Sequence, residues 1–386
     1  MTAPSNLFDP KTYEDARQPF LKARTLPAAC YTEEAFLARE VDQIFLKSWL
    51  YVCREDEVAK AGDYRTCQTA GGPVIILRDR EDVLRAFANS CRHRGARLLE
   101  GEGNCKRAIA CPYHGWVYQL DGQLIGAPFM DRTMDFDKAS WGLESLRLES
   151  WQGFIFVNYD QASEPLLTYF GDLPDQLGGY RFNEMVCVKR WTYELPCNWK
   201  LLIENSVEDY HTAIVHSGSI GDQITDTLKT KGNWDSLYLP AEEMVATLPG
   251  ETSSIPPILN LPERLAKGVF FTVLYPNTQF ACMQDCMWWF TATPLGARRC
   301  RTDFGFCFPR AVAERPDFEQ AAAKHFHRWR VSIKEDNDTG ALQQVGLESA
   351  LRKPGPYSYR EEIVHRIANW VLDRVLDGGL VKGRMD

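Results

Sequence analysis

The sequence predicts a mixed α+β fold in two parts. From Trp49 to about Tyr159, short apolar segments such as "GPVIILRD" and "GFIFVNY" are separated by glycine-containing turns, a pattern typical of a compact antiparallel β module. Strand-like segments return later in the chain ("GVFFTVLYPN", "CRTDFGFCFP"), and two helical segments close it. Since 386 residues exceed the usual size of one domain, we expect the β module to accompany a larger domain of strands and helices.

Composition narrows the classes of function. The net charge of −8 and the lack of a basic patch argue against a nucleic-acid partner. No apolar run reaches membrane-spanning length, and the N-terminal segment lacks the charged and apolar stretches of a secretory signal. Twelve cysteines in such a long chain predict reduced thiols and a metal centre rather than disulfides. We therefore expect a cytoplasmic protein without a membrane partner.

The first candidate metal site is the segment "CRHRGARLLEGEGNCKRAIACPYHGWVY". It pairs Cys91 with His93 and Cys111 with His114. Three alternatives are a zinc site, an iron–sulfur site and two unrelated core pairs. Zinc sites usually group like ligands, whereas a [2Fe–2S] cluster with two thiolates on one iron and two imidazoles on the other requires this mixture. Cys105 matches no ligand position and is interpreted as an ordinary thiol.

The second candidate site lies in "NWKLLIENSVEDYHTAIVH". His211 and His216 are five residues apart, so on one unbroken helix their side chains would point about 140° from each other. Both could bind one metal only if the helix breaks or loosens between them, at "TAIV". Two imidazoles, a carboxylate and open positions form the facial triad of non-haem iron(II) oxygenases. The two histidines alone leave this assignment open.

The motifs resemble one family. "CRHRG…CPYHGW" is similar to the Rieske motif, and the Asn-Trp-Lys, Glu-Asn and Tyr-His pattern of the second segment resembles the iron-binding segment of Rieske non-haem iron oxygenases. The resemblance to this ring-hydroxylating alpha-subunit family covers nearly the whole chain. It implies a β-sandwich Rieske domain ahead of a helix-grip (START/Bet v1-like) catalytic domain with a curved antiparallel sheet.

The domain boundaries expected from this resemblance are as follows. Residues 1–40 form an N-terminal helix and loop of the catalytic domain, 41–160 the Rieske domain, and 161–386 the mononuclear-iron domain. Residues 218–265 are rich in Gly, Pro, Ser and Thr, and we expect them to form a mobile loop over the active site.

The resemblance also implies roles for acidic residues. In "EDNDTGALQQVGL", Asp336 matches the aspartate that completes the iron triad, while Asp338 is interpreted as an exposed helix-end acid. Glu208, three residues before the first iron histidine, matches the acid that links the two metals across subunits, with Asp209 as the alternative.

Seven other residues complete the set. Asn205 matches a family position near the iron, where it could hydrogen-bond substrate or water. Two aromatic residues of "CMQDCMWWF", Trp288 and Phe290, fall on one face of a strand, as aromatic core or as a substrate wall that holds a quaternary ammonium by cation–π attraction. Asp285 falls on the opposite face. The remaining histidines are expected at the edge of the core: His325, His327 and His365.

The implied function is that of a terminal oxygenase. It uses O2, a [2Fe–2S] cluster and mononuclear Fe(II) to hydroxylate or oxidatively demethylate a small organic substrate, and it assembles as a homotrimer. The chain carries no dinucleotide-binding fingerprint, so NAD(P)H would act through a reductase, with or without a ferredoxin. Glu208 and the net acidity favour a quaternary amine such as choline, betaine or carnitine. The alternatives are an aromatic-acid ring hydroxylase or O-demethylase, and a non-enzymatic Rieske electron carrier or redox sensor.

Overall fold

The computed structural model describes residues 7–376. The chain divides into two compact units, one formed by residues 46–166 and the other by the residues on either side of that segment. Among the helices of the described chain, none combines the length and the apolar character that crossing a bilayer requires.

The unit of residues 46–166 is built from small antiparallel sheets. A three-stranded sheet has the order β1-β10-β9, a four-stranded sheet the order β4-β3-β2-β5, and a second three-stranded sheet the order β6-β7-β8. The strands are β1 (Leu50–Arg54), β2 (Asp63–Thr69), β3 (Gly72–Arg78), β4 (Leu84–Ala88), β5 (Glu102–Asn104), β6 (Ile109–Ala110), β7 (Val117–Tyr118), β8 (Leu124–Gly126), β9 (Arg147–Trp151) and β10 (Phe154–Asn158). Single 3₁₀ turns lie at Glu55–Val58 and Lys138–Trp141.

The core of this unit contains the two motif cysteines. Ile75 and Leu77 of β3 and Phe87 of β4 pack in one buried cluster with Cys91 and Cys111. A thiol surrounded by apolar side chains is shielded from water and from exchange with other thiols. Packing within the β module therefore fixes the positions of both cysteine side chains without the help of a cofactor.

The second unit consists of a seven-stranded antiparallel sheet with helices. The sheet order is β11-β17-β16-β15-β14-β13-β12. The helices are α1 (Ala29–Thr32), α2 (Glu34–Glu40), α3 (Leu166–Phe170), α4 (Leu173–Leu177), α5 (Trp199–Asn205), α6 (Thr212–Val215), α7 (Glu263–Ala266), α8 (Arg310–Ala313), α9 (Phe318–Leu347) and α10 (Glu362–Val375). The strands are β11 (Met185–Leu195), β12 (Asp226–Thr227), β13 (Trp234–Pro240), β14 (Gly268–Leu274), β15 (Thr278–Cys282), β16 (Met287–Gly296) and β17 (Arg299–Pro309). Shorter helical turns are Pro10–Tyr13, Phe20–Lys22, Val41–Phe45, Gly178–Tyr180 and Phe182–Glu184. The predicted α+β class is confirmed.

Helix α9 packs along the sheet through aromatic rings. It has 30 residues and is about 45 Å long. Trp329 of α9 stacks on Phe306 of β17 with ring centroids 4.7 Å apart, and Phe326 meets the same ring edge-on at 6.0 Å. Aromatic pairs in these geometries add to the stabilisation from buried apolar area. These contacts fix the position of α9 over the sheet. They therefore also determine which residues of the helix face the sheet.

Helix α5 is held at its first turn by buried polar contacts. The side chain of Asn198 caps the helix by accepting the Lys200 N–H at 3.0 Å, and the Asn198 N–H donates to Gln344 of α9 at 2.9 Å. Lys200 Nζ lies 2.7 Å from Glu40 of α2, and both side chains are fully buried. A buried charge pair that loses one partner leaves an uncompensated charge, so these contacts strongly specify where α5 lies.

The expectation of one irregular loop over residues 218–265 is wrong for its central part. Trp234–Pro240 form β13, which pairs with β14 from Trp234 opposite Leu274 to Pro240 opposite Gly268. The segment "WDSLYLP" is bounded by glycine- and proline-rich sequence, which hid the strand. Its stability comes from pairing with a distant strand, which local composition does not report.

The expectation for one histidine is also wrong. His325 is fully buried, not at the core edge, because its face of α9 lies on the sheet with the ring 5.6 Å from Phe308. Its Nε2 lies 2.8 Å from an oxygen of Asp285. His327 is exposed and His365 is partly buried.

A buried carboxyl on α5 predicts a pH dependence of stability. Glu204 accepts hydrogen bonds from the Tyr31 hydroxyl at 2.9 and 3.1 Å, and burial raises its pKa to about 7 from the usual value of 4.5. A raised folded-state pKa contributes stability that is complete below pH ~4.5 and is lost as the pH rises through about 7. Glu204→Gln cannot ionise, so between pH 5 and 8 its free energy of unfolding should gain about 2–3 kcal/mol relative to wild type. Urea unfolding at several pH values measures this; a constant difference would contradict the buried-acid assignment.

Candidate active site

Two equivalent turns carry the first set of candidate ligands. In each, the cysteine N–H donates to the carbonyl five residues later, at 2.9 Å for Cys91 and 2.7 Å for Cys111. The N–H of Gly95 or Gly115 donates back to the cysteine carbonyl of its own turn at 2.9 and 3.1 Å. These glycines have φ of +71° and +69°, a conformation that other residues adopt only with strain. The motif spacing therefore encodes two matching turns.

The turns bring two imidazoles together. The rings of His93 and His114 lie 4.6 Å apart by centroid, and His93 stacks on Trp116 at 5.0 Å with an interplanar angle of 7°. The Nδ1 atom of His93 is buried and has no hydrogen-bond partner within residues 7–376. An unpaired buried nitrogen is costly unless it has a ligand. Together with two buried thiols, these groups fit the donor set of a [2Fe–2S] cluster.

A tyrosine missed by the sequence reasoning lies beside this set. The hydroxyl of Tyr118 is 3.3 Å from Cys91 Sγ and accepts the Arg92 N–H at 3.1 Å. Burial and the nearby thiols raise the pKa of Tyr118 well above its usual value, so the hydroxyl keeps its proton. Because its oxygen accepts from Arg92, this proton is available to the sulfur, and such hydrogen bonds tune cluster potentials. The sequence offered one indication of this role, since Tyr118 lies at the end of the segment "CPYHGWVY".

The chain around the two other histidines is broken in an unexpected place. "TAIV" forms the short helix α6, with His211 immediately before it and His216 immediately after it. The predicted break between the histidines is therefore wrong; the helical path is interrupted between α5 and α6 instead. There the Glu208 carboxylate accepts the backbone N–H of Tyr210 and, at 3.1 Å, that of His211. These bonds hold the Glu208 carboxylate against the turn that precedes α6.

The structure brings His211, His216 and Asp336 into one cluster. Nε2 of His216 lies 3.2 Å and Nε2 of His211 lies 3.5 Å from Asp336 Oδ1, and one ligand atom from each residue lies within 4.8 Å of the others. Asp336 Oδ1 is buried and makes no hydrogen bond with the described residues. Two nitrogens and an orphaned carboxylate oxygen at these distances fit a single metal ion. Asp338 instead points outward to an ion pair with Lys334 at 2.5 Å.

Two glutamates orient the imidazoles. Glu208 Oε1 is 2.6 Å from His211 Nδ1, and Glu335 Oε2 is 2.7 Å from His216 Nδ1. A carboxylate on Nδ1 fixes the proton there and leaves the Nε2 lone pair directed at the cluster. Burial opposes protonation of His216, but the carboxylates of Asp336 and Glu335 outweigh it and raise its pKa. The sequence reasoning assigned no role to Glu335, although it adjoins Asp336.

The neighbouring acid Asp209 has different contacts. It is buried and pairs with Arg360 at 2.8 Å, and its second oxygen accepts the N–H and hydroxyl of Thr225 at 2.7 and 2.8 Å. Glu208 is thus the acid that contacts His211. Asn205 lines the same cavity as the cluster.

One wall of the cavity is aromatic. Trp288 and Phe290 of β16 line it as alternation predicts, and Phe304 of β17, the cross-strand partner of Phe290, joins them. Ring centroids lie 6.2 Å apart for Trp288 and Phe290 and 5.2 Å apart for Phe290 and Phe304. The sequence reasoning missed Phe304 because it belongs to another strand. The cavity therefore combines the His211–His216–Asp336 cluster with a stacked aromatic surface.

Two family models match the chain. The Rieske [2Fe-2S] domain matches residues 48–147, and the catalytic domain of the ring-hydroxylating alpha subunit matches residues 182–377. The second match spans half of the chain and includes the His211–His216–Asp336 cluster.

Similar proteins include bacterial oxygenase subunits. The carnitine monooxygenase oxygenase subunit of Escherichia coli (strain K12) is 35% identical over 223 residues, 56% of this chain and only 57% of the length of that relative. The glycine betaine monooxygenase oxygenase subunit of Chromohalobacter salexigens is 27% identical over 97% of this chain and 92% of its own. A solved structure of a quaternary ammonium Rieske monooxygenase, described as giving insight into carnitine oxidation and inter-subunit electron transfer, has a TM-score of 0.81 and 26% identity, covering 93% of this chain and 97% of its own.

The two matched turns with mixed Cys/His ligands and the His/His/Asp cluster lie in the segments that these models cover, in the expected order. The chain belongs to the family of ring-hydroxylating oxygenase alpha subunits and carries a Rieske [2Fe-2S] domain ahead of the family's catalytic domain.

Proposed function

We propose that this protein is the terminal oxygenase of a multicomponent system that hydroxylates or oxidatively demethylates a quaternary amine. The observation that carries the proposal is the cluster of His211, His216 and Asp336 facing a cavity with an aromatic wall. A protein that only carried or sensed electrons would need the Rieske domain alone. A second metal site beside a substrate-sized recess is useful only for chemistry on a bound molecule.

The proposed ligand sets follow from the donors. Cys91, His93, Cys111 and His114 would hold the [2Fe–2S] cluster, and His211, His216 and Asp336 would hold Fe(II). When bound, the cluster supplies single electrons and the iron activates O2. His93 Nδ1 and Asp336 Oδ1 support these assignments, since each is a buried polar atom that makes no hydrogen bond within the described chain.

The protein's own groups would set the conditions for that chemistry. Glu208 and Glu335 hold both imidazoles with Nε2 toward the metal position. The buried rings of Phe290 and Phe304 exclude water from the adjoining wall, which limits loss of reactive species to solvent. Asn205 is available to hydrogen-bond substrate or water beside the triad.

A quaternary amine is favoured by the aromatic wall. Aromatic rings that line a cavity attract a desolvated cation, and the indole of Trp288 binds cations more strongly than phenyl rings do. The relatives whose names concern carnitine and glycine betaine support the same class. An aromatic acid would also stack on this wall, so O2 and NAD(P)H consumption with each class of compound must distinguish the two classes.

Electron delivery would require other chains. The chain has no dinucleotide-binding fingerprint, so a reductase would supply electrons from NAD(P)H. We assign Glu208 as the link from the triad to the Rieske cluster of a neighbouring subunit in a homotrimer. Its carboxylate already bonds His211 Nδ1 and two backbone N–H groups, and a carboxylate has about four acceptor sites, so one remains. The similar monooxygenase described in terms of inter-subunit electron transfer supports this route.

Metal and sulfide analysis tests the proposal. Anaerobically purified protein should contain about three irons per two inorganic sulfides, and with a surrogate reductase should consume O2 and NAD(P)H on addition of quaternary amines. Asp336→Asn should lose about one iron and all turnover, whereas its exposed neighbour variant Asp338→Asn should keep both. Two irons per two sulfides in wild type would instead indicate an electron carrier. Turnover with aromatic acids only would select the alternative substrate class.

Glu335→Gln tests the orientation of His216. The amide can present its NH2 group to Nδ1, which disfavours the tautomer with Nε2 free for the metal. We expect the affinity for Fe(II) at the triad to fall about 10- to 100-fold while the visible spectrum of the [2Fe–2S] cluster stays unchanged. Titration of iron-depleted protein with Fe(II) measures this affinity; an unchanged value would show that Glu335 does not orient the ring.

Glu208→Gln tests the electron route. The variant should fold and keep both metals, since one hydrogen bond is worth only about 1–3 kcal/mol. Dithionite should reduce the cluster normally, but its reoxidation by substrate and O2 should slow about 10- to 100-fold. Stopped-flow absorbance of the cluster gives both rates.

Asp209→Asn is the comparison variant. Loss of full charge opposite Arg360 should lower its Tm, yet reoxidation per folded molecule should stay near that of wild type. If Asp209→Asn is the slow variant, Asp209 is the bridge; if both reoxidise normally, the cross-subunit route is wrong for this protein.

A further inference from the structure

A buried arginine lines the same cavity as the triad. Arg328 is 3% exposed and lies on α9 with Ser332 and Asp336, at i, i+4 and i+8, all lining the cavity. This spacing puts the three side chains on one face of the helix, with the ends about 12 Å apart along its axis. Arg328 therefore lies about two helical turns from the metal triad.

Arg328 has no partner among residues 7–376. Its guanidinium makes no hydrogen bond or ion pair there, and its Nε is buried. The nearby acids are engaged elsewhere: Asp285 bonds His325, and Asp336 faces the two metal-site histidines. Burial lowers the pKa of Arg328 to about 10, so it remains a cation at neutral pH.

An unpaired buried cation is destabilising unless a ligand neutralises it. Other polar groups of the cavity are also buried without a hydrogen-bond partner in the described chain. The Nε1–H of Trp288 and the hydroxyl of Thr302 are buried without partners in the described chain, and both also line the cavity. A guanidinium, an indole N–H and a hydroxyl can all donate hydrogen bonds. Two buried acceptors of the cavity, Gln223 Oε1 and Asp336 Oδ1, also make no hydrogen bond with the described residues, and neither is bonded to Arg328. The guanidinium therefore still requires an anion to neutralise it.

The position of Arg328 relative to the aromatic wall follows from its neighbour in sequence. Trp329 stacks on Phe306, and Phe306 is the cross-strand partner of Trp288. This turn of α9 therefore packs on the part of strands β16 and β17 that carries the aromatic wall. A ligand could reach the wall with one end and Arg328 with the other.

We infer that Arg328 binds a carboxylate of the substrate, so that the substrate is a zwitterion: a quaternary ammonium against the aromatic wall and a carboxylate on the guanidinium. The planar fork of an arginine matches a carboxylate, with two parallel N–H···O bonds. That this ligand is the substrate rests on the proposed function, whereas the anion subsite is defined by Arg328 itself. Arg328 is thus a specificity-determining residue.

The test compares each betaine with its primary amide, which keeps the quaternary ammonium but carries no carboxylate. Glycine betaine, γ-butyrobetaine and carnitine are matched with their primary amides, and binding is measured by calorimetry and by the rise in Tm, alongside O2 uptake. Wild type should bind at least one carboxylate more tightly than its amide. Arg328→Gln should weaken binding of that carboxylate about 10- to 100-fold without weakening binding of its amide, with Arg328→Lys in between.

Stability separates this role from a structural one. An arginine held for packing would destabilise the fold when removed, whereas Arg328→Gln removes an unpaired buried charge and should keep or raise the Tm of ligand-free protein. Arg330→Gln, on the exposed side of the same helix, should change neither binding nor Tm. Equal weakening of acid and amide by Arg328→Gln, or no preference for the acid in wild type, would overturn the inference.

Binding and turnover report on separate claims. Carboxylate binding that depends on Arg328 without O2 uptake would retain the subsite and reject the proposed oxygenase function. O2 uptake with amines that carry no carboxylate, unaffected by Arg328→Gln, would retain the oxygenase and reject the subsite.

Discussion

The docking of α5 on α9 is the constraint on which the candidate site depends. The histidines follow α5, while Asp336 belongs to α9, more than a hundred residues later in the chain. The Asn198 N–H bond to Gln344 and the buried Lys200–Glu40 pair fix the start of α5. The Asn-Trp-Lys motif and the segment "EDNDTGALQQVGL", both singled out in the sequence, thus contain residues whose contacts bring the triad together.

The negative charges around the triad favour the binding of a cation. Three carboxylates, those of Glu208, Glu335 and Asp336, lie within 3.5 Å of the nitrogens of two imidazoles. Without a metal, the nearby acids raise the pKa of His216 and so favour a proton there. A divalent cation would displace that proton and balance more of the negative charge. The same acids orient the rings, so one arrangement provides both geometry and electrostatic attraction.

The sequence was informative where function depends on spacing within one segment, and silent where it depends on packing between segments. The Cys/His pairs, the two histidines and the choice of Glu208 over Asp209 could be read from local patterns, although the roles of these residues stay predictions. The position of the helix break was predicted wrongly because the Glu208 carboxylate bonds the backbone of the turn before α6, a side-chain contact that helix propensity does not encode. Strand β13 and Phe304 were missed because each is defined by a cross-strand partner.

Arg328 could not have been found in the sequence for a related reason. An arginine in an amphipathic helix beside Trp329 is ordinarily a solvated residue, and only the fold shows it buried without a partner. Its position also gives the cavity two unlike ends, an aromatic surface that attracts cations and a fixed positive charge that repels them. A simple quaternary ammonium ion gains at the first and is penalised at the second, and a neutral hydrocarbon leaves the guanidinium desolvated and unpaired. Selectivity for a zwitterion then arises as much from the exclusion of these competitors as from attraction to the substrate.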